Sequence, residues 1–114
     1  MEKRTSKKKK TYRPKEVFVP VIREAQSVFI QKVYVHKGDI VIWKAVDSDI
    51  TFFFPDPNLF GETLGTISKG NFKGLIVLLS PGRKKEEEFH YSVYHHELKD
   101  FGHGNSSPAI IIQK

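Results

Sequence analysis

Residues 33–46 constrain the fold more than any other stretch: two β-rich apolar runs flank Lys37-Gly38-Asp39. In the second run Val41, Trp43 and Ala45 fall on one face of a strand, Ile40, Ile42 and Val46 fall on the other, and Lys44 alone marks contact with water. A strand buried on nearly both sides needs a second layer of structure, which predicts a sandwich rather than one sheet with a wet back. Glycine supplies positive φ and aspartate can bond its own backbone, so residues 37–39 read as the tight turn of a strand pair.

The rest of the chain repeats the pattern. Residues 16–22 read as a strand that Pro20 confines to an edge or bulge, because proline has no N–H to give a central ladder. Residues 27–35 follow, with a bend or interruption expected near Gln31 and Lys32. Residues 50–54 form a strand halted by Pro55 and Pro57. Residues 58–72 hold Gly61, Gly65 and Gly70 among scattered apolar side chains and read as a long crossover loop with at most one helical turn. Residues 74–80 are a short apolar strand closed by Pro81-Gly82, and residues 83–88 are a charged hairpin tip or strand extension. Phe89, Tyr91 and Val93 alternate with His90, Ser92 and Tyr94, a loop rich in His, Gly and Asn follows, and residues 109–112 form a buried closing strand. Seven or eight strands, no convincing helix and no internal repeat define an all-β chain, an antiparallel Greek-key β-sandwich.

At 114 residues the chain makes one domain, residues 14–114, preceded by an arm. Residues 1–13 hold seven of the nineteen Lys and Arg and one of the thirteen acidic residues, so the net charge of +6 belongs to the arm and the body is neutral. Such an arm is expected to be disordered, and its partner, if it has one, is anionic: nucleic acid or a lipid surface, bound without sequence preference. The absence of cysteine excludes disulfides, thiolate metal sites and cysteine nucleophiles. The charged first residues have no signal-peptide core and no segment has the length of a membrane span. A soluble cytoplasmic protein is the expectation, extracytoplasmic if a leader has been removed.

Residues 37–43 followed by Asp47-Ser48-Asp49, and residues 91–95 followed by a Gly-rich loop and residues 109–112, resemble the cupredoxin family in order and spacing over residues 27–114. The resemblance implies a cupredoxin-like sandwich. It also places the family's first histidine near Ile50 or Thr51, its cysteine on His95 and its second histidine near Leu98, while the only methionine is Met1. Two imidazoles and a thiolate are what hold type 1 copper, so that chemistry is excluded.

The functional expectation is therefore a non-enzymatic binding or structural domain with no cofactor, its partner a protein. The partner-binding candidates are Asp47, Asp49, Phe53, His96 and Asp100, at the end of the sandwich where the metal would sit. Of three consecutive phenylalanines at least one must face away from its neighbours, and an outward Phe53 or Thr51 would supply an apolar patch there. Phe52, Phe54, Phe60, Phe72 and Phe89 read as core and cover of the long loop. An alternative is a Cu or Zn site of His95 and His103, with His90, Glu97 or Asp100. No nucleophile elbow, oxyanion glycine pair or phosphate loop accompanies the hydroxyls of Ser92 or Ser106, so no enzyme is expected.

Overall fold

The computed structural model describes residues 13–24, 27–101 and 108–114. The basic arm up to residue 12 and His103 lie outside them. Eleven strands and one helical turn lie within: β1 (Glu16–Glu24), β2 (Ser27–Phe29), β3 (Val33–His36), β4 (Ile40–Ala45), β5 (Ile50–Phe53), α1 (Pro57–Phe60), β6 (Leu64–Ile67), β7 (Phe72–Ile76), β8 (Glu86–His90), β9 (Ser92–His95), β10 (Asp100–Phe101) and β11 (Ala109–Gln113). Three sheets result, ordered β2-β1-β4-β7, β3-β11-β8 and β10-β9-β5-β6. Their inward side chains meet in one core, which makes the chain all-β. Among the described residues no helix is long and apolar enough to cross a membrane.

Trp43 anchors that core. It is fully buried, and the rings of Phe52, Phe54, Phe60 and Tyr91 surround it at centroid distances of 5.8, 5.6, 5.4 and 5.9 Å. Its indole N–H donates to the Tyr91 hydroxyl at 3.1 Å, so the one polar atom of the ring is satisfied where no water reaches. Burial pushes the Tyr91 phenol well above its ordinary range, against a smaller opposing effect of the Trp43 bond. Phe60 reaches the cluster through α1, a single turn capped by the Asp56 carboxylate on the Asn58 N–H and ended by Gly61 at φ 80°.

Several sequence expectations are corrected by the strand pairing. The two runs of residues 33–46 do not pair with each other. β3 lies parallel to β11 in one sheet, while β4 lies parallel to β1 and antiparallel to β7 in another. The turn between them passes the chain from sheet to sheet, and Asp39 holds it there: the buried carboxylate accepts the Lys15 N–H at 3.0 Å and the His36 N–H at 2.8 Å. Two parallel ladders among eight also depart from the antiparallel expectation, since each pairs strands joined by a long crossover rather than a hairpin. The run at residues 89–94 is likewise split at Tyr91, β8 pairing with β11 and β9 with β5.

Residues 64–67 form a strand where a loop was expected. Gly65 sits against the Phe52 ring, and a Cβ there would come within 2.7 Å of it, so this glycine marks a close approach and not a turn. The strand expected at residues 74–80 begins and ends earlier, because pairing with β4 runs from Phe72 to Ile76 and the N–H groups of Val77 and Leu78 go to Asp39 and Leu59 carbonyls. The strands among the described residues number eleven, not seven or eight, while three other expectations match the structure. The chain breaks between Phe29 and Val33, β11 is buried, and β2 flanks β1 only from Ile22 onward, which leaves Pro20 on an unpaired edge. One face of β4 is buried as expected, at Val41, Trp43 and Ala45, but Ile40 and Ile42 on the other face are only half-buried.

Candidate functional site

The polar corner between β4 and β5 is a brace. Three consecutive side chains each accept a backbone N–H from a different segment: Asp47 from Arg23 at 3.0 Å, Ser48 from Glu97 at 3.0 Å and Asp49 from Lys69 at 2.8 Å. Short polar side chains suit this task because they satisfy main-chain donors that no ladder reaches. Asp47 also meets His95, whose Nε2 lies 2.9 Å from Oδ1. Burial acts to raise the Asp47 carboxyl, but the bonds from the Arg23 N–H and His95 outweigh it and hold the group below its ordinary value.

His95 is fully buried, and its second ring nitrogen is occupied too, since Nδ1 accepts the Leu98 N–H at 3.1 Å. Both ring nitrogens are thus engaged by the protein, so His95 would have to give up one of these bonds to ligate a metal. The other metal candidates are dispersed. His90 lies on β8, in a different sheet, with Nε2 3.0 Å from Glu88. Glu97 sits 3.9 Å from Lys69 Nζ, and the Asp100 side chain accepts the Phe101 N–H at 2.8 Å. Among the described residues no three His, Asp or Glu side chains are grouped to hold a metal ion. The positions that the resemblance sets against copper ligands, Ile50 or Thr51, His95 and Leu98, offer an aliphatic side chain or a hydroxyl already bonded to His96 and Thr66, an engaged imidazole and a second aliphatic side chain, and these do not fit the ion.

His96 is the first residue of the turn after β9; it is exposed and its ring lies beside Tyr94 on the outer side of the sheet. Its Nε2 is 2.7 Å from the Thr51 hydroxyl, which in turn lies 3.0 Å from the Thr66 hydroxyl. Ladder register then lays two rows across the outer face of the β10-β9-β5-β6 sheet: Phe101, Tyr94, Thr51 and Thr66 in one, and Ser92, Phe53 and Leu64 in the next. Tyr94 stands edge-on to both the His96 and Phe101 rings, at 5.4 and 5.1 Å. Phe53 is 46 % exposed, and Leu64 and Phe101 more so. Between the rows runs a groove of about 440 Å³, lined by Thr51, Phe53, Leu64, Ser92, Tyr94, His96 and Phe101, none of them Asp, Glu, Lys or Arg.

No protein-family model, curated protein or solved structure matches the chain.

Of the five partner-binding candidates, the structure brings Phe53 and His96 to this groove. Asp47 and Asp49 are turned to the brace, and Asp100 starts the edge strand beside it. Leu64, Tyr94 and Phe101 complete the surface without having been singled out. The available signals were weak: a single alternation at Leu64 and Thr66 inside a glycine-rich stretch, and one aromatic residue in a loop dominated by histidine and glycine.

Proposed function

We propose that the chain is a non-enzymatic, cupredoxin-like binding domain whose protein partner docks on the outer face of the β10-β9-β5-β6 sheet. The observation that carries this reading is the exposure of Phe53 between Leu64 and Phe101 in a groove without Asp, Glu, Lys or Arg. Large apolar groups that neither join the core nor scatter singly mark interaction surfaces, and the hydroxyls of Thr51, Ser92 and Tyr94 supply hydrogen-bonding groups at the centre and rim of the patch. Of the two residues the cupredoxin likeness offers for the first ligand, Ile50 pairs with His95 in the β5–β9 ladder and Thr51 pairs with Tyr94, and the Leu98 N–H bonds the His95 ring. The site chemistry they retain is structural.

The test is affinity capture with the full chain from an extract of its source cells, comparing wild type with a Phe53→Ser, Phe101→Ser variant. Both residues are exposed, so the variant keeps its fold, checked by circular dichroism. A partner recovered by wild type should bind the variant at least about tenfold more weakly. Equal recovery by both forms overturns the proposal.

A further inference from the structure

A second sheet leaves an apolar face uncovered, and its pattern favours one occupant. On the outer side of β1, β4 and β7 the register sets three rows across the strands: Glu16, Ile40 and Ile76; Phe18, Ile42 and Gly74; Pro20, Lys44 and Phe72. A sheet with one wet face normally alternates apolar and polar residues, and this one does not. Phe18, Phe72 and Ile76 are 60 %, 57 % and 52 % exposed. Gly74 keeps the centre flat, because Ile40 and Ile42 lean over it so closely that a Cβ there would lie 3.3 and 3.4 Å from their side chains. The exposed apolar area is on the order of 400 Å², comparable to the largest patch on an ordinary monomer. A standard interface takes ~800 Å² from each partner, so the apolar part of the face would supply about half of it.

Within these three rows two charges stand at opposite ends, and Glu24 continues the same side of β1 beyond the third row. Glu16 belongs to the first row, while Lys44 belongs to the third, its ammonium 5.0 Å over the Phe72 ring. A two-fold axis running along the strands would keep both copies' Lys44 at one end and both Glu16 at the other. An axis lying in the interface along the Phe18, Ile42 and Gly74 row reverses the strands instead and sets the first row of one copy over the third row of the other. Each Glu16 then lies over the other copy's Pro20, one strand from its Lys44, each Lys44 lies over the other copy's Ile40, Ile76 faces Phe72, and the two Phe18, Ile42 and Gly74 rows face each other.

We propose that this face is the interface of a homodimer, two sheets packed face to face about that axis, which is the isologous geometry that closes with a single kind of contact. The second layer demanded by the apolar residues on both faces of β4 is thus supplied by another copy of the chain. The surface is separate from the groove at Phe53, so either can fail without the other.

Sedimentation equilibrium on the full chain, from ~1 to ~300 µM at low salt, tests this. Wild type should show a monomer–dimer equilibrium within that range. Ile76→Glu and Phe18→Ser should each shift it toward monomer at least about tenfold, with circular dichroism unchanged. Glu16→Lys and Lys44→Glu should each weaken the dimer, and the double exchange should restore it. A wild type that stays monomeric at the top concentration overturns the proposal. So does a dimer indifferent to Ile76→Glu and Phe18→Ser, and failure of the double exchange to restore association overturns the axis.

Discussion

His95 and Asp47 share a 2.9 Å hydrogen bond whose direction is set from the far side of the ring. The Leu98 N–H can only donate, so Nδ1 of His95 accepts it and the proton of a neutral imidazole must sit on Nε2, pointing at Asp47. This bond ties the end of β9 to the corner after β4, and Asp47 carries the tie on to Arg23 at the end of β1. A histidine that resembles a metal ligand in sequence is, in the fold, a clasp between two sheets. Long-range nitrogen–proton NMR correlations at pH 7 should show the Nε2–H form, and an Nδ1–H form would contradict the geometry.

Removing that ring leaves the Leu98 N–H without its acceptor, takes one of two hydrogen bonds from Asp47 and opens a cavity where a fully buried side chain stood. His95→Ala is expected to cost about 2–3 kcal/mol, read by urea denaturation. A change within about 0.5 kcal/mol would show that the clasp carries no stability.

Asp47 gives the fold an acid-sensitive component with a definite sign. Its carboxyl titrates lower in the folded chain than in the unfolded one, so the stability it contributes is fully present above the unfolded value, about 3.9, and is lost as pH falls through the lower folded value. Thermal melting from pH 6 down to about pH 2 should therefore fall less steeply for Asp47→Asn than for wild type below about pH 4. Parallel profiles would rule the carboxyl out as a contributor.

Gly65→Ala tests the strand that replaces the expected loop. The new methyl group would press into the Phe52 ring, and overpacking of this kind costs about 1–3 kcal/mol. A neutral or stabilising effect in chemical denaturation would mean that residues 64–67 do not lie against Phe52.

The Trp43–Tyr91 bond should be separable from the packing around it. Tyr91→Phe and Trp43→Phe remove the two ends, and a double-mutant cycle should return a favourable coupling of about 1 kcal/mol. Zero coupling would place the two groups out of contact.

Side-chain alternation made much of this legible. It put Val41, Trp43 and Ala45 in the core, marked residues 109–112 as a buried strand, and required one of Phe52, Phe53 and Phe54 to face out, which is Phe53. Alternation reports a face, however, and not a neighbour. The sheet changes at Gly38-Asp39 and at Tyr91 were therefore hidden, since the chain keeps its inward parity while exchanging partner strands. Gly65 was misread because a glycine that admits a close ring and a glycine that permits a turn look alike in sequence. Asp47 and Asp49 looked like surface groups because nothing local reveals that backbone donors 24 and 20 residues away will reach them. Leu64 and Phe101 were passed over for the same reason as their strands: β6 and β10 are short and set among glycines.

The measurement that tests the central claim most directly is amide chemical-shift mapping of the isotope-labelled full chain with the partner recovered by capture. The account predicts shifts confined to β5, β6, β9 and β10, strongest around Thr51, Phe53, Leu64, Tyr94 and Phe101. Shifts centred instead on residues 1–13, with the amides of that sheet unmoved, would contradict it and assign binding to the basic arm.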